Sequence, residues 1–291
     1  MAGSTLAARA LGRLLAQYRE RAGLTRYAAA QFVDTSQQTV GRIEDGVKAK
    51  VGDLWINTWA DAYKCTAPER RTLLALAHDL RTAQKSWWRG FADEIPTDFN
   101  HYLSLEDSAN RLTIWATNLV PGLLQTPDYR RVLAWTENPT WTHDEVERRV
   151  QVATNRQQRL QDSKFRLIVL LSEAVLYNQV GSDAVMEEQL TQLASLSELS
   201  NITIGIVPFK ATNPIGPIVS SCTLLEFPIL ASTKSEEPPV VYVEGYVGDL
   251  YLESEGDVKQ YRDALGRIGQ VALDPTQSRQ RILAVAEEYR G

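Results

Sequence analysis

The chain has 291 residues, of which 44% are hydrophobic and 23% are charged, and its formal net charge is −5. These fractions lie close to the globular average, which excludes a disordered chain, a collagen-like repeat or a coiled coil as a description of the whole. The length exceeds that of one small domain and allows a sizeable buried core.

The charge is unevenly distributed along the chain. Residues 1–65 contain nine basic and six acidic residues, a net charge of +3, and the remainder carries −8. A domain that binds nucleic acid is usually basic, so the total charge argues against such a partner for the whole chain. The basic N-terminal part is where a polyanion would bind.

Few residues are suited to metal chemistry or to export. The two cysteines, Cys65 and Cys222, and the three histidines show no metal-ligand spacing, which excludes a typical zinc site and predicts no metal or cofactor. Two lone cysteines favour a reducing compartment. No signal peptide is apparent, and the longest aliphatic run, residues 167–171, is far shorter than a membrane helix. We therefore expect a cytoplasmic protein without a membrane partner.

Five short helices are predicted between Thr5 and Leu80. Apolar residues recur at helical spacing on one face of the first helix, which should end at Gly23. Thr25 and Ser36 are suited to cap the second and third helices. The predicted second to fifth helices span residues 26–32, 37–45, 53–64 and 68–80.

The pattern changes beyond residue 85, where short β-type runs alternate with helical ones. We therefore predict an all-α N-terminal domain, residues 1–82, followed by a mixed α/β C-terminal domain, residues 83–291. The predicted strands span residues 112–116, 165–171, 202–207, 223–227, 240–244 and 250–253. The predicted helices between and after them span residues 143–161, 183–199, 257–271 and 275–289, the first with a capping box at Thr142 and Glu145.

The tight turn between the second and third predicted helices indicates a helix-turn-helix. Ala30 is expected where these helices cross, because a methyl group permits close approach. The outer face of the third helix then carries Gln37, Gln38, Thr39 and Arg42. Glutamine pairs bidentately with adenine and arginine with guanine, so the spacing favours DNA binding over a merely solvated helical bundle.

At these residues the sequence resembles a known family. Residues 8–65 are similar to the Xre-type helix-turn-helix of the lambdoid phage repressors, notably in Ser36-Gln37-Gln38-Thr39 and Glu44-Asp45-Gly46. Two residues depart from that pattern. Ala29 replaces a usual leucine, and Gly41, a poor helix former, lies inside the third helix.

The resemblance implies roles for particular residues. It implies base contacts by Gln37, Gln38 and Arg42, and a backbone contact by Arg26, which stands where the family often has a phosphate-binding glutamine. It also implies an ion pair between Arg19 and Glu44. The complete set of predicted DNA-binding residues is Arg26, Thr35, Ser36, Gln37, Gln38, Thr39, Arg42, Lys48 and Lys50.

The second half resembles the C-terminal domain of unknown function that follows Xre-type heads in actinobacterial regulators. The run Pro121-Gly122-Leu123-Leu124-Gln125-Thr126 is its most specific match, and the likeness extends over most of residues 85–290. The resemblance implies a small partner protein encoded nearby and a link to development or to toxin–antitoxin-like control.

Aromatic residues flank this run and suggest a ligand site, although core packing explains them as well. Ligand pockets are mostly apolar with a few polar groups. The predicted pocket for a small molecule or partner consists of Trp115, Leu123, Gln125, Tyr129 and Trp135.

No enzyme motif is present in the sequence. It has no nucleophile elbow and no glycine-rich phosphate loop, and no pattern connects Ser172, which is followed by Glu173, to a histidine. We expect a transcription regulator that binds double-stranded DNA as a homodimer and is not an enzyme. The alternative is an antitoxin-like interaction module that neutralises a small protein, and a pull-down with the neighbouring gene product would distinguish the two.

Overall fold

The computed structural model describes residues 6–47, 51–82, 87, 91, 97–212, 215–234 and 236–291. The chain forms two compact units, each built from separated stretches. The first unit comprises Met1–Arg89, Thr97–Ser108 and Phe227–Glu237. The second comprises Gly90–Pro96, Ala109–Glu226 and Pro238–Gly291. The predicted boundary at residue 82 stays a prediction, because residues 83–86 lie outside the described part.

The first unit is helical throughout its described elements. Its helices are α1 (Leu6–Arg21), α2 (Arg26–Phe32), α3 (Gln37–Glu44), α4 (Asp53–Ala62), α5 (Ala67–Thr82) and α6 (Thr97–Ser108). The sequence predicted the first five and missed α6. The core beneath α1 to α5 is apolar and includes Leu11, Leu15, Ile56, Trp59 and Leu73.

Two helix ends show why the chain turns where it does. After α1, Gly23 adopts a φ of +70°, and the Leu24 N–H bonds back to the Arg19 carbonyl at 3.1 Å. After α4, Lys64 adopts a φ of 55°, and the Cys65 N–H bonds to the Ala60 carbonyl. Both are left-handed helix terminations. The fourth helix therefore ends at Ala62, and its predicted end at residue 64 was wrong.

The second unit contains a six-stranded mixed sheet in the order β3-β2-β1-β4-β5-β6. Its strands are β1 (Arg111–Ala116), β2 (Arg166–Ser172), β3 (Ile202–Val207), β4 (Cys222–Glu226), β5 (Val240–Glu244) and β6 (Asp249–Leu252). The first three strands are parallel, and β4 to β6 add antiparallel pairings. The six strands agree with the predicted ones to within one residue at each end.

Helices connect the parallel strands and follow the last strand. They are α7 (Pro127–Glu137), α8 (His143–Gln157), α9 (Ala174–Tyr177), α10 (Asp183–Leu196), α11 (Glu255–Val271) and α12 (Pro275–Arg290). Crossover helices of this kind are what parallel pairing requires. The capping box of α8 has both of its hydrogen bonds. The predicted helix at residues 143–161 changes to a 3-10 turn after Gln157, and that predicted at 183–199 ends at Leu196.

A helical N-terminal region followed by a mixed α/β domain confirms the predicted fold class. Within the described part of the chain, no helix combines the length and the apolarity needed to cross a bilayer.

Candidate DNA-binding surface

The turn between α2 and α3 reverses the chain within four residues. The amides of Val33 and Thr35 both bond to the Ala30 carbonyl, at 3.3 and 3.0 Å. Asp34 adopts a φ of 50°, in the left-handed region that aspartate tolerates better than most residues. Ala30 is fully buried at this point. A methyl side chain therefore lies where the two helices meet, as the spacing predicts.

The start of α3 is fixed by a side-chain cap. The Ser36 hydroxyl accepts a hydrogen bond from the Thr39 amide at 3.1 Å and lies 3.0 Å from the Thr39 hydroxyl. A serine cap of this kind typically stabilises a helix by about 1 kcal/mol. Its hydroxyl therefore satisfies one of the backbone amides that the first turn of α3 leaves without a helical partner.

The two faces of α3 differ in polarity. Val40 and Ile43 are buried beneath the helix. Among the predicted contact residues on α3 and in the turn before it, Thr35 and Thr39 are partly exposed. The other four are exposed: Ser36, Gln37, Gln38 and Arg42. The side chains whose donors and acceptors match base edges therefore lie on the outer face.

A buried carboxylate connects α3 to α1. Arg19 Nε donates to Glu44 Oε1 at 2.6 Å, and Arg19 Nη2 donates to Glu44 Oε2 at 2.9 Å. The remaining nitrogen, Nη1, donates to the Leu24 carbonyl at 2.9 Å. Only 8% of the Arg19 side chain and 1% of the Glu44 side chain are exposed. The hydrogen bond to Glu44 raises the pKa of the Arg19 guanidinium, so Arg19 stays charged.

Arg26, at the start of α2, joins the same carboxylate. Its Nε donates to Glu44 Oε2 at 2.7 Å, and its Nη2 donates to Asp45 Oδ1 at 3.1 Å. Nearly half of its side chain, 46%, is exposed. The three residues form an Arg–Glu–Arg triad that holds the beginning of α2 and the end of α3 on α1. Sequence reasoning missed this role of Arg26, because its partner is 18 positions away.

Gly41 makes room for the Arg26 side chain. A Cβ at Gly41 would lie 3.2 Å from Arg26 Nη1, closer than such contacts normally are. The two positions at which this chain carries Arg26 and Gly41, and so differs from the resembled family, therefore lie side by side.

The other departure, Ala29, has a separate explanation. The indole of the buried Trp59 donates to the Ala29 carbonyl at 2.9 Å. Trp59 also contacts Trp55 edge-on, with ring centroids 5.6 Å apart. A large ring from α4 thus fills the space above a small residue of α2.

Two of the predicted phosphate contacts cannot be placed. Lys48 and Lys50 lie outside the described residues. Their contribution to binding stays a prediction.

The polar side chains of the predicted pocket form hydrogen bonds with three different segments of the second unit. Tyr129 and Gln125 both bond to the backbone of Val120. The Tyr129 hydroxyl accepts a hydrogen bond from the Val120 amide at 3.3 Å, and Gln125 Nε2 donates to the Val120 carbonyl at 2.8 Å. The Trp115 indole donates to the Val219 carbonyl, and that of Trp135 to the Trp141 carbonyl.

Four of these five side chains are buried, including Leu123, whereas 37% of Trp135 is exposed. These contacts are those of packed side chains. The pocket itself stays a prediction.

Two family models match the chain. A helix-turn-helix domain matches residues 10–73, and the domain of unknown function DUF5753 matches residues 99–284. No curated protein and no solved structure matches it. The first match contains the capped turn and the exposed face of α3, and the second contains the whole sheet. The chain therefore belongs to the DUF5753 family and carries, ahead of that domain, a helix-turn-helix of the DNA-binding kind.

Proposed function

We propose that this protein is a sequence-specific transcription regulator that reads its operator with α3. The observation that carries the proposal is the exposed pair Gln37 and Gln38 on the first turn of a capped helix, with Arg42 exposed further along. The N-terminal residues of a recognition helix contact base edges in the major groove. Glutamine then reads adenine and arginine reads guanine.

Arg26 is proposed to contact the DNA backbone from beside this helix. Its guanidinium is half-exposed even though two of its nitrogens donate to carboxylates. An arginine that is already oriented by ion pairs loses little side-chain entropy when it binds a phosphate. We propose the same type of contact for Lys48 and Lys50.

The regulator is proposed to act as a homodimer. A recognition helix of eight residues reaches only a few base pairs, and proteins with this motif commonly bind two half-sites about 34 Å apart. Two-fold symmetry of the protein then matches two-fold symmetry of the operator.

The proposal is tested by removing both amides. Gln37→Ala combined with Gln38→Ala should weaken operator binding by about 1–3 kcal/mol for each bidentate hydrogen-bonded pair that is removed. The operator is first found by genomic binding-site mapping with the purified full chain. Affinity is then measured by fluorescence anisotropy at fixed salt, since phosphate contacts make affinity strongly salt-dependent.

Gln17→Ala is the matched control, because Gln17 is an exposed glutamine of α1. It should leave operator affinity unchanged. If the double variant also binds the operator like the wild type, α3 does not read the sequence and the proposal fails. The same titration gives the number of chains for each operator, and one chain on one half-site would contradict the dimer.

A second candidate function is that of an interaction module, including an antitoxin-like one. It is favoured by large apolar side chains that are exposed in the second unit: Phe209, Ile218, Tyr246 and Val247. Tyr246 and Val247 are adjacent in the chain, and contiguous exposed apolar side chains are typical of interaction sites. We propose that this unit binds a small partner protein or a small-molecule effector. Co-purification with a small protein encoded nearby would support the first alternative.

Both candidates are binding functions, and we propose that the chain has no catalytic role. Glu173, next to Ser172, is buried, and its carboxylate accepts hydrogen bonds from Arg281 and from the Phe209 amide. Its interactions are therefore those of a structural carboxylate.

A further inference from the structure

The segment that follows β4 belongs to the first unit. Residues 227–237, called here the β4–β5 connection, lie within the DUF5753 match and group with α1 to α6. The connection folds back on itself. Ile229 bridges to Glu236, and the Lys234 amide bonds to the Leu230 carbonyl at 2.7 Å. The connection begins directly after β4, and only two residues separate Glu237 from the start of β5. Both strands belong to the second unit.

Three residues of the β4–β5 connection contact the helical part of the first unit. Arg13 Nη2 of α1 donates to Glu237 Oε1 at 2.5 Å, and only 1% of the Glu237 side chain is exposed. The guanidinium carbon of Arg9 lies 5.1 Å above the centre of the Phe227 ring. Leu230 packs against the apolar core of the helices. A buried carboxylate with an arginine partner is costly to separate from it.

Helix α1, which carries Arg9 and Arg13, also packs against the end of α3, backbone against backbone. A Cβ at Gly12 would overlap the carbonyl oxygens of Ile43 and Glu44. A Cβ at Gly46, just after α3, would lie 3.1 Å from the Arg9 Cα. No flexible side chain separates these surfaces, and packed interiors transmit displacement because they contain little free space. The position of α1 therefore sets the position of the end of α3.

We infer that Glu237 and Phe227 are positioning residues for the recognition helix. The β4–β5 connection holds α1 by an ion pair and a cation–π contact, and α1 in turn supports the last turn of α3. The helix-turn-helix is thus completed by a segment of the DUF5753 domain, and its ability to read sequence depends on that segment. This inference rests on the proposed DNA binding by α3.

The inference also provides a physical route for regulation. A ligand changes the affinity at a distant site only through an element that has different contacts in two states. The β4–β5 connection is bonded covalently at both ends to strands of the second unit and non-covalently to α1. Separation of Arg13 from Glu237 would loosen the support of α3 without altering any residue on its outer face.

The test uses the full chain with Glu237→Gln, which keeps the shape of the side chain and removes its charge. Affinity is measured for the mapped operator and for a scrambled duplex of equal length. We expect about a fivefold loss of operator affinity and no change for the scrambled duplex. A loss of folded protein would instead reduce both affinities in parallel, and melting curves of the same samples monitor folding.

Glu236→Gln is the matched control, since the neighbouring carboxylate is exposed. It should stay within about twofold of the wild type on both duplexes. If Glu237→Gln does not fold, Arg13→Gln removes the same ion pair from the side that is 40% exposed. Its operator affinity should fall by a similar factor relative to the scrambled duplex.

The two proposals fail in distinguishable ways. If Glu237→Gln and Arg13→Gln keep the wild-type ratio of operator to scrambled affinity while the Gln37 and Gln38 double variant loses it, the positioning role alone is overturned. If all of these variants keep the ratio, α3 does not read DNA and the proposed function is overturned.

Discussion

Two irregular segments of the molecule, the turn region around α3 and the segment 121–126, are secured by different chemistry. In the first unit, the turn region around α3 is held by the charged triad of Arg19, Glu44 and Arg26. In the second unit, the segment 121–126 is held by neutral amides. Gln189 Oε1 accepts from the Thr126 amide at 2.7 Å, and Gln189 Nε2 donates to the Leu124 carbonyl at 2.8 Å.

The difference shows how one residue type serves opposite purposes. Gln189 is fully buried and both ends of its amide bond to backbone. Gln37 and Gln38 expose the same donor and acceptor pair on α3. An amide satisfies a buried backbone whatever the pH, whereas a buried charge needs a partner of opposite sign. The turn region around α3 should therefore be more sensitive to charge removal than the segment 121–126.

The largest effect is expected when the triad loses its carboxylate. Glu44→Ala leaves Arg19 buried without its main partner and should destabilise the first unit by about 3–5 kcal/mol. Hydrogen exchange of peptides from α1 to α3 measures the change. Peptides from the second unit should keep their wild-type protection, because the comparison predicts that the damage stays local.

Asp45→Ala is the control for this variant. The adjacent carboxylate also bonds to Arg26, but 59% of its side chain is exposed. An exposed ion pair contributes about 1 kcal/mol or less. Equal loss of hydrogen-exchange protection in the two variants would show that burial of Glu44 is not what stabilises the turn. The claim that a buried charged triad secures the region around α3 would then be wrong.

A smaller effect is expected when the second unit loses its buried amide. Gln189→Ala leaves the Thr126 amide without an acceptor, while Gln192 Nε2 still donates to the Leu124 carbonyl at 3.3 Å. One unsatisfied buried group costs about 1–3 kcal/mol. Urea denaturation followed by hydrogen exchange in α7 should show this loss to the same extent at pH 5 and pH 8.

Glu188→Ala, on an exposed position of α10, should change stability by less than about 0.5 kcal/mol. A pH-dependent loss in Gln189→Ala would mean that a titrating group, and not a neutral amide, holds the segment 121–126.

Local signals in the sequence sufficed for most elements. Thr25, Ser36 and Thr142 cap the helices that follow them, because a capping side chain acts on its own next turn. Short runs rich in apolar and β-branched residues placed the six strands to within one residue. Helix α6 was missed because its Asp, Asn, His and Ser residues are weak helix formers without a clear apolar stripe.

Contacts between distant residues were beyond such signals. The pair Arg19 and Glu44 came from a family resemblance, whereas Arg26 joined them only in the structure. Nothing in the run of Pro, Ser and Lys at residues 231–239 indicates that Glu237 bonds to Arg13, 224 positions earlier. Pairing over such separations depends on the fold as a whole and leaves no periodic pattern in the sequence.

An exposed ion pair between α1 and α5 is expected to give the smallest effect among the charged contacts of the first unit. Arg21 donates to both oxygens of Glu69, at 2.6 and 3.1 Å. The hydrogen bond from Arg21, followed by that from the Thr66 amide, lowers the pKa of Glu69 from 4.5 to about 2. A carboxyl with a lowered pKa stabilises the folded state above its unfolded pKa, and that stability is lost as the pH falls through the folded value.

Glu69→Gln should therefore cost a small amount at neutral pH and nothing in strong acid. Solvent screens this pair, since 49% of the Arg21 side chain is exposed, so the expected loss at pH 7 is about 0.5–1 kcal/mol. Denaturation at a series of pH values should show the variant and the wild type converging between pH 4.5 and about 2. A constant difference over that range would mean that the variant loses part of the hydrogen bond with the Thr66 amide and no charge–charge interaction. Glu69 would then not count among the charged contacts of the first unit.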